Sequence, residues 1–229
     1  MKKTGFTLAE ILITLGIIGV VAALTMPSLI TNHKKKTTIV KLRREYSVLT
    51  NAFERAQADN GDIAEWDWSL NVSDFFRTYL KPYLLLSKDC GTGNNTCWLP
   101  YNAIYRPDGT KYLNTTGGAI YTAILNDGTY ISVEKQDNNH VHMYIDIDGR
   151  TGNSMFGRDV FELTMTKEKF TEEMHIIEHS GLHLYGHGLS RDNLINNTYG
   201  CDKTKAGAMC GALYQYDDWQ ISDDVNVFK

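Results

Sequence analysis

The chain of 229 residues has only four prolines and no segment dominated by glycine, proline and serine, so collagen-like and wholly disordered readings are excluded. It contains no P-loop and no dinucleotide fingerprint, which removes the usual nucleotide-binding readings. No self-similarity at a period of about 20–50 residues is visible, which removes solenoids and propellers. Cations are scarce in the body: residues 45–229 carry 15 basic against 26 acidic side chains, a net charge of −11. Phosphate contacts need clustered cations, so this body is not read as a nucleic-acid-binding domain. Charge of either sign is missing from Ile11 to Asn32.

What is present is equally uneven. Residues 1–44 hold eight lysines and arginines against Glu10 alone, a net charge of +7. Within that piece, Ile11–Ile30 is a 20-residue, almost wholly apolar run. As a helix it spans ~30 Å, the thickness of a bilayer's hydrocarbon. A secretory signal peptide would also have a basic start and an apolar stretch. Here Glu10 stands at the front of the run, the run is long, and no Ala-x-Ala cleavage site follows it. A carboxylate in a membrane segment costs roughly 2.5–3.5 kcal/mol and normally has a partner. The apolar run supplies no cation, so Glu10 is expected to meet a positive group from outside. A free α-amino group made by cleavage after Gly5 would stand four positions before it.

Gly5-Phe6-Thr7-Leu8-Ala9-Glu10 closely resembles the prepilin motif of type IV pilins and type II secretion pseudopilins. The resemblance covers about residues 1–30 and implies cleavage between Gly5 and Phe6, N-methylation of Phe6 and a mature chain of 224 residues. It implies that Glu10 pairs with the terminal amine of an adjacent subunit during assembly. Pro27 matches a proline that many pilins carry in the same helix; having no amide hydrogen, it is expected to kink or locally melt the helix. The motif also implies a cytoplasmic N-terminus. The positive-inside rule points the other way, because His33-Lys34-Lys35-Lys36 after the span is more basic than Lys2-Lys3 before it. That run is instead expected at lipid headgroups or against acidic neighbours in a fibre.

The helix does not stop at the membrane. Ile39, Leu42, Tyr46, Leu49, Phe53 and Ala56 recur at spacings of 3 and 4, with Lys41, Arg44, Glu45, Arg55 and Asp59 assigned to the other face. Asn60-Gly61 is a stop signal. One helix from about Thr7 to Asp59 is predicted, ~80 Å long. Beyond it, Val72–Leu86 reads as helical up to Lys81-Pro82. Ala119–Leu125, Thr129–Glu134, His142–Asp148 and Val160–Met165 read as strands, the first two joined by an Asn126-Asp127-Gly128 turn. Residues 181–200, rich in glycine and asparagine, read as an irregular loop. The expected fold is α+β: a long helix, transmembrane then amphipathic, packed on a small antiparallel sheet head with disulfide-closed loops. Its parts are a leader at 1–5, a transmembrane and polymerisation helix at 6–32, an amphipathic helix at 33–60 and an extracytoplasmic head at 61–229.

The four cysteines group as Cys90/Cys97 and Cys201/Cys210, with six and eight residues between them. In an extracytoplasmic head, two local disulfides are expected; a four-cysteine zinc site fits these loose spacings poorly. His175-Ile-Ile-Glu178-His179 satisfies H-x-x-E-H, in which two imidazoles on a helix could share zinc and Glu178 act as base. His183 and His187 extend the four-residue spacing, but Gly181, Gly186 and Gly188 break such a helix, and a solvated loop is expected. Asp146 and Asp148, before Gly149 and near Asn153 and Asp159, suggest a calcium loop, although the EF-hand spacing does not fit; the alternative is a strand-ending turn. Asp146–Phe161 also resembles an Asp-x-[Asp/Asn]-Gly…Gly-x-Asp-Val-Phe segment of large bacterial prepilin-like heads. The stretch Cys210–Val225 looks similar to their C-terminal ends. Trp66, Trp68, Trp98 and Trp219 are expected to fill the core rather than bind glycans.

Together these features imply a structural subunit of a pilus or pseudopilus, not an enzyme, with no required cofactor beyond the calcium option. A minor, tip or priming subunit is the variant within that class, and a membrane-tethered zinc hydrolase is the alternative outside it. The implied partners are prepilin peptidase, identical and related pilin subunits, the inner-membrane assembly platform and membrane lipid. The implied location is the bacterial inner membrane, crossed once, and then a fibre in the periplasm or at the cell surface.

Overall fold

The computed structural model describes residues 7–92, 97, 104–112, 120–135, 137–149, 154–168, 170–172, 175–177 and 180–228. Helix α1 runs from Leu8 to Asn60, 53 residues, within one residue of the predicted ends. Its apolar first half is not buried against the described residues of the head: Leu8, Leu12, Ile17 and Leu29 are all exposed. From Thr38 onward one stripe is buried, comprising Thr38, Leu42, Glu45, Leu49, Ala52, Phe53 and Ala56. Ile39 and Tyr46, predicted in the stripe, lie half-buried at its edge. Thr38 and Glu45 are the polar residues that hydropathy alone leaves out, and Glu45 had been assigned to the solvent face. Truncating a buried leucine such as Leu49 to alanine costs about 2–5 kcal/mol.

Pro27 lies inside α1, and the helix continues through it without a break. The expected local melting does not occur, because one missing i→i−4 hydrogen bond leaves the adjoining turns intact. Gly61, at φ +82°, ends the helix, and its N–H donates to the Gln57 carbonyl at 2.9 Å.

After α1 the chain folds back through an aromatic cluster. The Trp66 ring stacks on Tyr79 at 4.4 Å, and the Trp68 indole donates to the Ile63 carbonyl at 2.8 Å. Both tryptophans are buried, as expected of core plugs. Helix α2, Val72–Tyr79, starts on Asn71, whose side chain accepts from the Asp74 amide. It ends earlier than predicted, and a 3₁₀ turn at Lys81–Tyr83 accommodates Pro82.

Six strands form one antiparallel sheet in the order β1-β3-β4-β5-β7-β10. They are β1 (Leu86–Thr92), β3 (Ile120–Leu125), β4 (Tyr130–Lys135), β5 (His140–Asp146), β7 (Val160–Thr166) and β10 (Gly181–Leu184). Two short pairs complete the sheets: β2 (Ile104–Tyr105) with β6 (Ser154–Met155), and β8 (Phe170–Glu172) with β9 (His175–Ile177). Strand β1 is irregular, with register shifts at Leu86/Lys88 and Asp89/Gly91. Because side chains alternate across a sheet, the register defines two different faces. One face is an apolar row, Tyr121–Val133–Met143–Leu163–Leu184, joined by Ala123–Ile131–Ile145–Phe161. These residues and the buried side of α1 belong to one core. Phe76 of α2 stacks on Tyr121, and Tyr214 meets Phe161 edge-on.

The segment expected to be an irregular loop contains β10 and helix α3 (Arg191–Asn196), started by the Ser190 side chain. Helix α4 (Cys210–Tyr216) follows. Residues 217–228 then return to α1, where the Trp219 ring lies 5.7 Å from Tyr46. Arg191 holds this return, bonding both oxygens of Asp217 at 2.8 Å and those of Asp224 at 2.9 and 3.1 Å. Asp218 and Trp219 adopt φ values of +55° and +58°, a strained conformation for side chains other than glycine.

Candidate functional site at the α1 terminus and the helix–head seam

The presumed scissile residues Gly5 and Phe6 lie outside the described residues. Thr7, the first described residue, caps α1. The Thr7 hydroxyl accepts from the Glu10 amide at 3.3 Å, while the Glu10 carboxylate accepts from the Thr7 N–H at 2.7 Å and its hydroxyl at 2.8 Å. This is a capping box. Glu10 therefore has hydrogen-bond partners inside its own chain, in the cap of its own helix. The signal was legible as Thr-x-x-Glu before an apolar run.

Beyond the cap, α1 is long and apolar enough to cross a membrane, and its apolar part is not buried among the described residues. A helix apolar all round and left uncovered by its own head suits lipid or other helices as its surroundings.

The seam between α1 and the head is polar at its rim. Lys41 pairs with Asp148 at 2.6 Å, and Arg44 pairs with Asp127 in the β3–β4 turn. Arg55 donates to the Tyr83 carbonyl, and the Asn60 side chain bonds the Tyr83 hydroxyl at 2.9 Å. Inside this rim Glu45 is only 2% exposed, and its Oε2 has no hydrogen-bond partner among the described residues. Burial, reinforced by the neighbouring Asp127 carboxylate, pushes Glu45 up to about 8, only partly offset by Arg44.

Both expected disulfides form, Cys90–Cys97 and Cys201–Cys210, with Cα separations of 5.9 and 4.6 Å. The second is enclosed: the buried Tyr214 hydroxyl donates to the Gly157 carbonyl at 2.8 Å, and a Cβ at Gly157 would stand 2.5 Å from the Cys210 sulfur.

The aspartates singled out for calcium have protein partners. Asp146 is buried, accepts from Ser154 at 2.6 Å and from the Asp148 amide at 3.0 Å, and burial pushes it up to about 6. Asp148 holds Lys41. Asp159 accepts from the Met155 amide at 3.2 Å. Asn153 lies outside the described residues, as do Glu178, His179 and Trp98. Among the described residues, no group of three or more His, Cys, Asp or Glu side chains is placed to hold a metal. The helix required to align His175 with His179 does not form at residues 175–177, which are a strand. His183 and His187 do come together, as parallel rings 4.7 Å apart.

A second cluster escaped the sequence reading. The other face of the sheet carries Thr122–Ser132–Tyr144–Glu162 and Glu134–His142–Thr164–His183 in cross-strand register. Six of these eight, the exceptions being His142 and His183, are buried. His142 Nδ1 contacts Glu162 Oε1 at 2.5 Å, and the Tyr112 and Tyr144 hydroxyls meet at 3.2 Å. Burial lowers the His142 pKa, but the Glu162 hydrogen bond and charge outweigh it and the net shift is upward. The period-two polar pattern was visible; its burial was not, since alternation predicts a wet face.

Comparison with known families fits this anatomy. Residues 1–26 match the prokaryotic N-terminal methylation motif, so the chain carries a prepilin-type cleavage and methylation signal. Residues 28–227 match the family of unknown function DUF6613, and the chain belongs to that family. No curated protein and no solved structure matches the chain. It is a pilin-like protein, with a methylation motif joined to a long N-terminal helix.

Proposed function

We propose that the protein is a structural subunit of a type IV pilus or type II secretion pseudopilus. Prepilin peptidase cuts after Gly5 and methylates Phe6, and the subunit then polymerises through α1 with identical or related pilins at an inner-membrane platform. Before assembly it crosses the inner membrane once, with the N-terminus cytoplasmic and the head outside. The observation that carries this reading is the methylation motif continuous with a 53-residue helix whose apolar half is left bare by its own head. The two disulfides support an oxidising, extracytoplasmic head. A minor, tip or priming role is the second reading, favoured by the size of the head. No catalytic step and no cofactor enters the proposal.

The test is Gly5→Val, which places a branched side chain at the scissile bond. The variant is expected to keep its leader and to be absent from sheared fibres. Mature protein beginning at Phe6 in that variant would overturn the processing step.

A further inference from the structure

Where α1 leaves the apolar run, a cavity of about 530 Å³ opens between the helix and the head. One wall is His33, Lys34 and Thr37 of α1; the other includes Arg158, from the turn between β6 and β7. The Thr38 hydroxyl donates to the Arg158 carbonyl at 3.2 Å, so this turn is tied to α1 beside the cleft. The lining acids are already engaged. Asp148 holds Lys41 at 2.6 Å, and Asp159 accepts from the Met155 amide. Arg158 reaches Asp159 only at 3.5 Å, and Lys34 makes no ion pair with a described residue.

Depth fixes what such a cleft meets. At 1.5 Å per residue, Lys34 stands about 6 Å beyond Ile30, the last apolar residue of the run. The headgroup layer extends about 5–8 Å beyond the hydrocarbon. Lys34 and His33 therefore lie at the level of lipid phosphates, and Arg158 is brought to the same cleft from a segment 120 residues away from Thr38. Two cations from different elements, a threonine and an imidazole around one cavity suit a single phosphate group.

We infer that this cleft binds the phosphate of a phospholipid headgroup, holding the base of the head on the membrane before the subunit is drawn into a fibre. The inference rests on α1 being the membrane span. The basic run after the span then has a local counter-charge on the head's side of the bilayer, where the positive-inside rule disfavours it.

The test uses the full chain, purified in neutral detergent and offered equal amounts of phosphatidylglycerol and phosphate-free diacylglycerol in native mass spectrometry. Phospholipid adducts should be favoured roughly twenty-five-fold, about fivefold per cation. Lys34→Gln combined with Arg158→Gln should bring the two lipids near parity. Lys88→Gln, on edge strand β1 outside the cleft, should keep the preference. Native disulfide peptides and unchanged helix content would show that each variant is folded. No preference in the wild type, or a preference that survives the double variant, would overturn the inference. Displacement of the lipid by millimolar inorganic phosphate would overturn the lipid assignment in favour of a soluble phosphate. Failure of the full chain to enter lipid nanodiscs would instead count against the membrane reading of α1.

Discussion

Glu45 of α1 and Asp127 of the β3–β4 turn are two neighbouring carboxyl groups bridged by Arg44, whose side chain lies 3.5 Å from Glu45 and in contact with Asp127. The pair divides the roles: Asp127 is held below its ordinary 3.8 despite burial, because the neighbouring Glu45 side chain, the Thr129 amide and Arg44 favour its charged form, while Glu45 is raised to about 8. An unfolded Glu45 loses its proton near 4.5. Between about pH 4.5 and 8 the folded state therefore binds a proton that the unfolded state does not, and stability falls as pH rises through that window. The Asp127 contribution has the opposite sign, present above pH 3.8 and lost on acidification. The Glu45 effect should be on the order of 2–4 kcal/mol. Glu45→Gln should be the more stable protein at pH 9 and should flatten urea midpoints measured between pH 6 and 9. The raised His142 adds a dependence of the same sign, so a residual slope is expected. An unchanged slope in Glu45→Gln would place the titration elsewhere.

The capping box at Thr7 and Glu10 separates two explanations of the membrane carboxylate. If Glu10 serves only to start the helix, Thr7→Ala and Glu10→Leu should impair assembly alike, each by loss of the cap. If Glu10 receives the terminal amine of a neighbouring subunit, the two part company. Glu10→Leu should be inserted and cleaved but retained as membrane monomer, whereas Thr7→Ala should assemble. The comparison is co-fractionation with sheared fibres. Wild-type assembly by Glu10→Leu would end the amine-docking mechanism for this protein.

Elements with strong periodicity were legible in the residues. The α1 stripe and the strands around Asn126-Asp127-Gly128 lie within one or two residues of their predicted places, because one buried face imposes a period. Strand β1 was not legible: Ser87-Lys88-Asp89 is exposed, irregular edge sequence shaped by its partner β3. Strand β10 and helix α3 were hidden among glycines and asparagines, and form through pairing with β7 and a Ser190 cap. Glu45 was misplaced because a carboxylate reads as solvent-facing, while its surroundings come from a turn 82 residues away. The leader motif was plain in sequence, as a chemical signal that needs no tertiary context.

The Cys201–Cys210 bridge encloses a short segment against the buried Tyr214. In the chain-entropy picture a loop of this size contributes about 3 kcal/mol. Replacing both cysteines by alanine should lower the stability of the head by about that amount, read from denaturant unfolding at constant pH. Non-reducing peptide maps of the wild type should show Cys90 with Cys97 and Cys201 with Cys210. Crossed pairing would contradict the structure.

Arg191 fastens the C-terminal return to the body through Asp217 and Asp224, and Ser222 adds a bond to Asp217 at 2.9 Å. The guanidinium is about one-third exposed, so solvent screens part of each ion pair. Its fork geometry still matters, because two carboxylates are met at once and a lysine offers a single point charge. Holding this return keeps Asp218 and Trp219 in their strained conformation and Trp219 against Tyr46. Arg191→Lys should therefore loosen residues 217–227 more than it destabilises the whole head, with a global cost of about 1–2 kcal/mol. Hydrogen exchange should rise in that segment and at α1 around Tyr46, while the β5–β7 amides keep their protection. A uniform loss of protection across the sheet would mean that the clamp supports the entire head, and exchange unchanged at 217–227 would show that the strained return is held by packing rather than by Arg191.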